Sequence, residues 1–198
     1  MWASLRNRLT ETPGQHPLFR DLYSAVTEER GALLYLMIRA IQAKRVVEFG
    51  SSFGISTIYL ATAVRDNLGQ GSNASAQVVG SEMEPEKCSA ATKNLAAAGL
   101  SGIATILQGD ARQTLPTVDA PVDLVFLDGR KDLYLPVLKL LQPKLRPGAV
   151  ILADNIKSFE KQVASYVQYV QSRENGFVSS TLKISDWTEF SVFERTEK

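Results

Sequence analysis

The chain has one cysteine, Cys88, and one histidine, His16, among its 198 residues. A lone thiol forms no internal disulfide. A Cys/His zinc cluster, a two-histidine metal site or a Ser-His-Asp triad with a well-placed imidazole would each need more than is there. His16 sits in the turn-like segment Pro13-Gly14-Gln15-His16-Pro17 and reads as a loop residue. Any chemistry therefore rests on carboxylates, lysine, amides or a bound cofactor. Net charge is scarce as well: 22 Lys plus Arg against 21 Asp plus Glu leave +1, which argues against a dedicated nucleic-acid binder. No apolar run approaches the roughly 20 residues of a membrane span. Arg6 and Arg8 have no apolar stretch of the secretory kind behind them. These absences predict a cytoplasmic protein without nucleic-acid or membrane partners.

What the chain does have is alternation. The first third reads as helices at Trp2 to Glu11, Pro17 to Glu29 and Gly31 to Ala43, the last with the apolar set Leu33, Leu34, Leu36, Met37, Ile38 and Ile41. From Lys44 the period switches. β-branched runs at Arg45 to Phe49, Gln77 to Ser81, Ile103 to Leu107, Val122 to Leu127 and Ala149 to Ala153 predict buried strands. Between and after them lie helical patterns at Ile55 to Asn67, Pro85 to Ala98, Ala111 to Leu115, Leu133 to Leu145 (broken by Pro136 and Pro143) and Ser158 to Asn175. Leu68 to Ala76 is a loop, and Asn73-Ala74-Ser75 within it carries no further meaning without a secretory signal. Phe177 to Ile184 and Glu189 to Glu194 are joined by four residues and must pair antiparallel. The prediction is an α/β fold of seven strands: a mostly parallel sheet with helices on both faces and a C-terminal antiparallel hairpin.

In such sheets ligands bind beyond the carboxyl ends of the strands, and those positions hold the polar residues. After the first strand, Gly50 and Gly54 open a helix with the spacing G-x-x-x-G, not the G-x-G-x-x-G of dinucleotide binders. After the second, Glu82 is placed to accept both hydroxyls of a ribose, while Glu84 and Glu86 around Pro85 read as first-turn helix charges. Asp110 after the third is both a helix N-cap and a possible acceptor for an adenine amino group. Taken alone, Asp128 reads as a turn residue and Asp154 as an N-cap. If the two strands they follow are neighbours, Asp128, Asp154 and Asn155 converge as an oxygen donor set of the kind a hard cation such as Mg²⁺ takes. Lys131 follows Asp128 by three residues. Cys88 and the stripe Phe159-Val163-Tyr166-Val167-Val170 read as core.

These segments resemble the class I S-adenosylmethionine-dependent methyltransferases, in particular the small cation-dependent O-methyltransferases that include catechol O-methyltransferase. The resemblance runs from about Ala25 to Glu194. It is carried by Val47-Glu48-Phe49-Gly50, Gly54 with Ser56, Glu82-Met83, Phe126-Leu127-Asp128 through Lys131-Asp132 to Tyr134-Leu135-Pro136, and Leu152-Ala153-Asp154-Asn155. It implies a single methyltransferase domain over 1–198, with N-terminal helices over 1–43 and a Rossmann-like core over 44–198. It further implies S-adenosylmethionine as cofactor, Mg²⁺ or another divalent cation, and a small-molecule, catechol-like methyl acceptor. Val26, Gly50 and Ser56 would lie against the methionine part of the cofactor, with Glu48 near its amino group. Glu82 would hold the ribose, Met83 would pack on adenine, and Asp110 and Ala111 would meet the adenine edge. Asp128, Asp154 and Asn155 would coordinate the metal, Asp128 also approaching the methionine amino group, and Lys131 falls on the catalytic lysine.

The chain has Gly129-Arg130 where catechol O-methyltransferase has a bulky aromatic, so the resemblance implies a wall over the acceptor that is either missing or supplied by Trp187 or Tyr134. Glu189 and Asp186 are the acids available near the C-terminus. A metal-free N- or O-methyltransferase and a cofactor-binding protein without transferase activity are the alternatives. The glycine spacing speaks against a nicotinamide oxidoreductase.

Overall fold

A computed structural model describes residues 26–68 and 77–194. The helices expected before Val26, His16 and the Asn73 loop lie outside the described residues. The strands are β1 (Arg45–Phe49), β2 (Gln77–Glu82), β3 (Ala104–Gln108), β4 (Val122–Leu127), β5 (Leu145–Ala153), β6 (Phe177–Leu182) and β7 (Thr188–Phe193). They form one seven-stranded sheet in the order β3-β2-β1-β4-β5-β7-β6. Pairing among β1 to β5 is parallel, and β7 runs antiparallel to both β5 and β6. The helices are α1 (Glu28–Ala40), α2 (Ile55–Leu68), α3 (Pro85–Ala97), α4 (Ala111–Thr114), α5 (Tyr134–Leu141) and α6 (Glu160–Gln171). None is long and apolar enough to cross a membrane.

Alternation along the central strands divides the core in two. Val47, Phe49, Val125, Leu127, Ile151 and Ala153 face the α5/α6 side. Val46, Leu124, Phe126, Val150 and Leu152 face α1 and α2. Tyr166, Val163 and Val170 of α6 pack on the first side as their spacing predicts, and Cys88 of α3 is buried.

Several boundaries differ from the sequence reading. A single helix runs through Glu29, Arg30 and Gly31, because Thr27 caps it by accepting the Arg30 N–H at 3.3 Å. Gly31 sits inside this helix because a Cβ there would lie 2.5 Å from the Tyr59 ring of α2. Leu36, counted in the apolar set, is 61% exposed. Pro136 falls in the first turn of α5, where its missing N–H has no helical partner to lose, so it opens the helix instead of breaking it. Pro143 ends the segment in a 3-10 turn over Gln142–Lys144. β5 starts at Leu145 and not Ala149, since the register slips between Val122 and Leu124 and the extra residues around Gly148 (φ +76°) bulge outward.

Candidate active site

The parallel ladders continue one residue past the strands. Leu127 is in register with Ala153, the Asp154 N–H donates to Leu127 O at 2.9 Å, and the Asp128 N–H donates to Phe49 O at 2.9 Å. This sets Asp128 and Asp154 side by side at the carboxyl edge. Continued alternation from Phe126 and Leu152 turns them toward the α1 face. Asn155 follows with φ +60°, a left-handed conformation that asparagine tolerates better than most residues. α6 begins only at Glu160, so Asp154 is not an N-cap.

Lys131 opens a 3-10 turn (Lys131–Leu133) and reaches back over this edge. Its Nζ donates to Asp128 Oδ1 at 3.0 Å, Asn155 Oδ1 at 2.9 Å and Tyr134 Oη at 2.6 Å. These three acceptors match the three protons of an ammonium. Burial pushes the Lys131 ammonium below its ordinary pKa, with the Asp128 charge opposing. From the other side Arg30 Nη1 donates to Asp154 Oδ2, and the Asn155 N–H donates to Asp154 Oδ1 at 2.5 Å. Asp154 is 2% exposed.

Two organic cations thus stand on the oxygens of Asp128, Asp154 and Asn155. The donor chemistry suits a cation, and hard oxygen ligands suit Mg²⁺. Among the described residues no three His, Cys, Asp or Glu side chains gather at one place, so the amide of Asn155 is the third donor available.

The second half of the edge is the turn between β1 and α2. Gly50 has φ +93°, and a Cβ there would lie 2.5 Å from the Gly129 backbone, so the turn requires glycine. Glu48 is fully buried beneath it. Ser51 Oγ donates to Glu48 Oε2 at 2.8 Å and Thr57 Oγ1 donates to the same oxygen. Burial pushes Glu48 up to about 7 against these hydroxyls. Its Oε1 is buried with no partner among the described residues, a place suited to a hydrogen-bond donor.

At the end of β2 the Glu82 carboxylate accepts from the Ser52 N–H at 2.7 Å and the Glu84 N–H at 2.9 Å. Both oxygens are thereby fixed, each with a lone pair left for a diol. Met83 beside it is 52% exposed, and Ala111 is buried. Asp110 is the N-cap of α4, accepting from the Arg112 N–H at 2.9 Å, and its carboxylate is also gripped by the Arg112 guanidinium. Arg112 holds the Asp110 carboxyl below its ordinary value. The N-cap reading of Asp110 is thus met, and its oxygens are already engaged. Val26 is half-buried at the start of the described chain, two residues before α1.

Some expectations fail. Tyr134 is not a wall for an acceptor: it is fully buried, edge-on to Phe49 and Tyr166, and its hydroxyl donates to Asp154 O at 3.0 Å. Its work is to position Lys131. Glu189 is also buried, accepting from Ser179, Thr181 and Gln171 on the β6 side of β7. Gly129 leaves room for Phe49, whose ring lies 2.6 Å from where its Cβ would be, and Arg130 forks onto Asp132. The residue that sequence reading missed is Arg30.

Known proteins match this arrangement. A family model described as "Methyltransferase domain" matches residues 47–156. A catechol O-methyltransferase of Mycobacterium tuberculosis is 37% identical over 133 residues, covering 67% of this chain and 57% of that protein. One from Niastella koreensis is 31% identical over 136 residues, covering 67% and 58%. The chain thus spans under three fifths of the length of these curated relatives. The O-methyltransferase TomG of Streptomyces achromogenes, solved in complex with SAM, shares the fold with a TM-score of 0.79 at 23% identity, covering 97% of this chain and 96% of that one. The chain belongs to the methyltransferase domain family and is similar within it to catechol O-methyltransferases.

Proposed function

We propose that the chain is an S-adenosylmethionine-dependent O-methyltransferase that moves a methyl group to a hydroxyl of a small, catechol-like molecule with the help of a divalent cation. The observation that carries this reading is the continuous polar edge from Glu82 and Glu48 to Lys131 and Asp154, where a cofactor-shaped set of acceptors adjoins an oxygen cage already holding two cations.

S-adenosylmethionine, when bound, supplies an electrophilic sulfonium methyl group. Glu82 would take the ribose hydroxyls on the carboxylate that the Ser52 and Glu84 N–H groups orient. Met83 would cover adenine, and Ala111 with Asp110 would meet its edge. Val26, Gly50 and Ser56 would lie along the methionine part. The unpartnered Oε1 of Glu48 would receive charge from its ammonium, with Asp128 nearby. Asp128, Asp154 and Asn155 would hold a divalent cation such as Mg²⁺, whose Lewis acidity favours the ionised form of an acceptor hydroxyl. Lys131 would take the acceptor's proton. Its low exposure already weakens the ammonium, and engaging Asp128 and Asn155 elsewhere would leave it Tyr134 Oη alone, which favours the neutral amine that a base needs. Holding methyl and oxygen in line would supply much of the remaining rate.

The test is transfer of labelled methyl from S-adenosylmethionine to a panel of ortho-diphenols, with Mg²⁺ and with excess chelator. Transfer that chelation abolishes is the expected result. Equal transfer in both would remove the metal from the account, and no transfer to any hydroxyl acceptor would remove the reaction.

A further inference from the structure

Arg30 is the third residue of α1, counted from the Thr27 cap. That is the positive end of the helix dipole, where a cation gains nothing from the helix. It is nevertheless buried, and its Nη1 donates to Asp154 Oδ2 from 124 residues away in sequence. A structural arginine at such a place normally uses its whole fork. Among the described residues Nη2 has only a long contact of 3.4 Å to Ile184 O, and Nε is buried without a partner. Within them the guanidinium is held by one carboxylate oxygen and little else.

Charge counting gives this loose fit a meaning. Asp128 and Asp154 bring two negative charges, and Lys131 and Arg30 bring two positive ones, so the edge is neutral as it stands. A divalent ion added with both side chains in place would leave a net charge of about two in a largely buried site, at a desolvation cost of several kcal/mol. Arginine keeps its charge, so relief on the Asp154 side requires movement. The turn between β6 and β7 offers a place to go: Asp186 there already attracts Arg30, and Ile184 O is within its reach.

We propose that Arg30 is a resident counter-ion on Asp154 that competes with the divalent cation for that carboxylate, so that metal entry requires the guanidinium to leave. This rests on the reading of Asp128, Asp154 and Asn155 as a metal site. Arg30 then sets how much metal the protein needs, and because it stands in the first turn of α1, three residues after the Val26–Thr27 pair, its departure touches the element that borders the cofactor's methionine end.

The experiment is a Mn²⁺ titration of the full chain, following free Mn²⁺ by electron paramagnetic resonance, for wild type, Arg30→Met, Arg30→Lys and Asp154→Asn. Arg30→Met is expected to bind Mn²⁺ at least about tenfold more tightly than wild type, and Asp154→Asn to lose binding. Arg30→Lys keeps the charge without the fork and is expected to fall between, which preserves the test should the methionine variant not fold. Binding that Asp154→Asn abolishes but that neither Arg30 variant tightens would overturn the competition and leave the metal site standing. Mn²⁺ binding by an Arg30 variant but not by wild type would support the competition while overturning metal assistance in the native protein. Binding by none of them would overturn both.

Discussion

Glu48 lies under the β1–α2 turn with one oxygen served by two hydroxyls and the other by no partner among the described residues. Its carboxyl is raised from an ordinary 4.5 to about 7 by burial. The folded state therefore holds this proton more tightly than the unfolded chain does. The sign of the linkage follows: the group costs nothing below about pH 4.5, withdraws stability as pH rises toward 7, and holds a constant penalty of roughly 3 kcal/mol above it. Glu48→Gln is expected to flatten this decline and to be more stable than wild type at pH 8 in urea denaturation without cofactor; equal pH profiles for the two would show that Glu48 is not the group concerned. Lys131 makes a different prediction. Lys131→Met should lower kcat by about a hundredfold or more while the affinity for S-adenosylmethionine stays the same. A variant within a few-fold of wild type would relieve Lys131 of the proton transfer. Lys131 is legible in sequence because it follows the strand-end acid Asp128 by three residues, and Glu48 through the resemblance carried by Val47-Glu48-Phe49-Gly50. The unpaired oxygen of Glu48 is not, since it depends on which hydroxyls arrive from Ser51 and Thr57 and which oxygen they choose.

At the scale of elements, the site is made by turns that must be tight. Gly50 combines a φ of +93° with backbone 2.5 Å from any Cβ. Gly50→Ala is expected to cost about 2 kcal/mol or more in urea denaturation and to weaken cofactor binding; a variant as stable as wild type would mean that the β1–α2 turn can open. Strand identities were readable because β-branched runs closed by glycine or acid punctuate the chain, and β4 matches its expected bounds of Val122 to Leu127. Boundaries were less so where proline and glycine have two meanings. Pro136 reads as a breaker by type but opens α5 by position. Pro147-Gly148 stands just before the expected start of the fifth strand at Ala149 yet lies within a bulged β5. α1 begins where Thr27 caps it, so it joins the end of one expected helix, Glu29, to the start of the next, Gly31.

The whole molecule brings together what no local pattern joins. The sheet order β1-β4-β5 makes Asp128 and Asp154 neighbours. Arg30 reaches the same place from a helix before the sheet, and its neighbours in sequence, Glu29 and Gly31, give no sign of it. Tyr134 is the reverse case: an aromatic near the site by sequence that the core claims entirely, leaving its hydroxyl to join Lys131 to the Asp154 carbonyl. The proposed acceptor chemistry presupposes that S-adenosylmethionine lies across the ends of β1, β2 and β3. Calorimetric titration of S-adenosylmethionine into wild type and Glu82→Ala tests that placement most directly. One cofactor per chain is expected, with affinity falling about tenfold or more in the variant as the charge-assisted hydrogen bonds to the ribose are lost. No binding, or binding indifferent to Glu82, would contradict it.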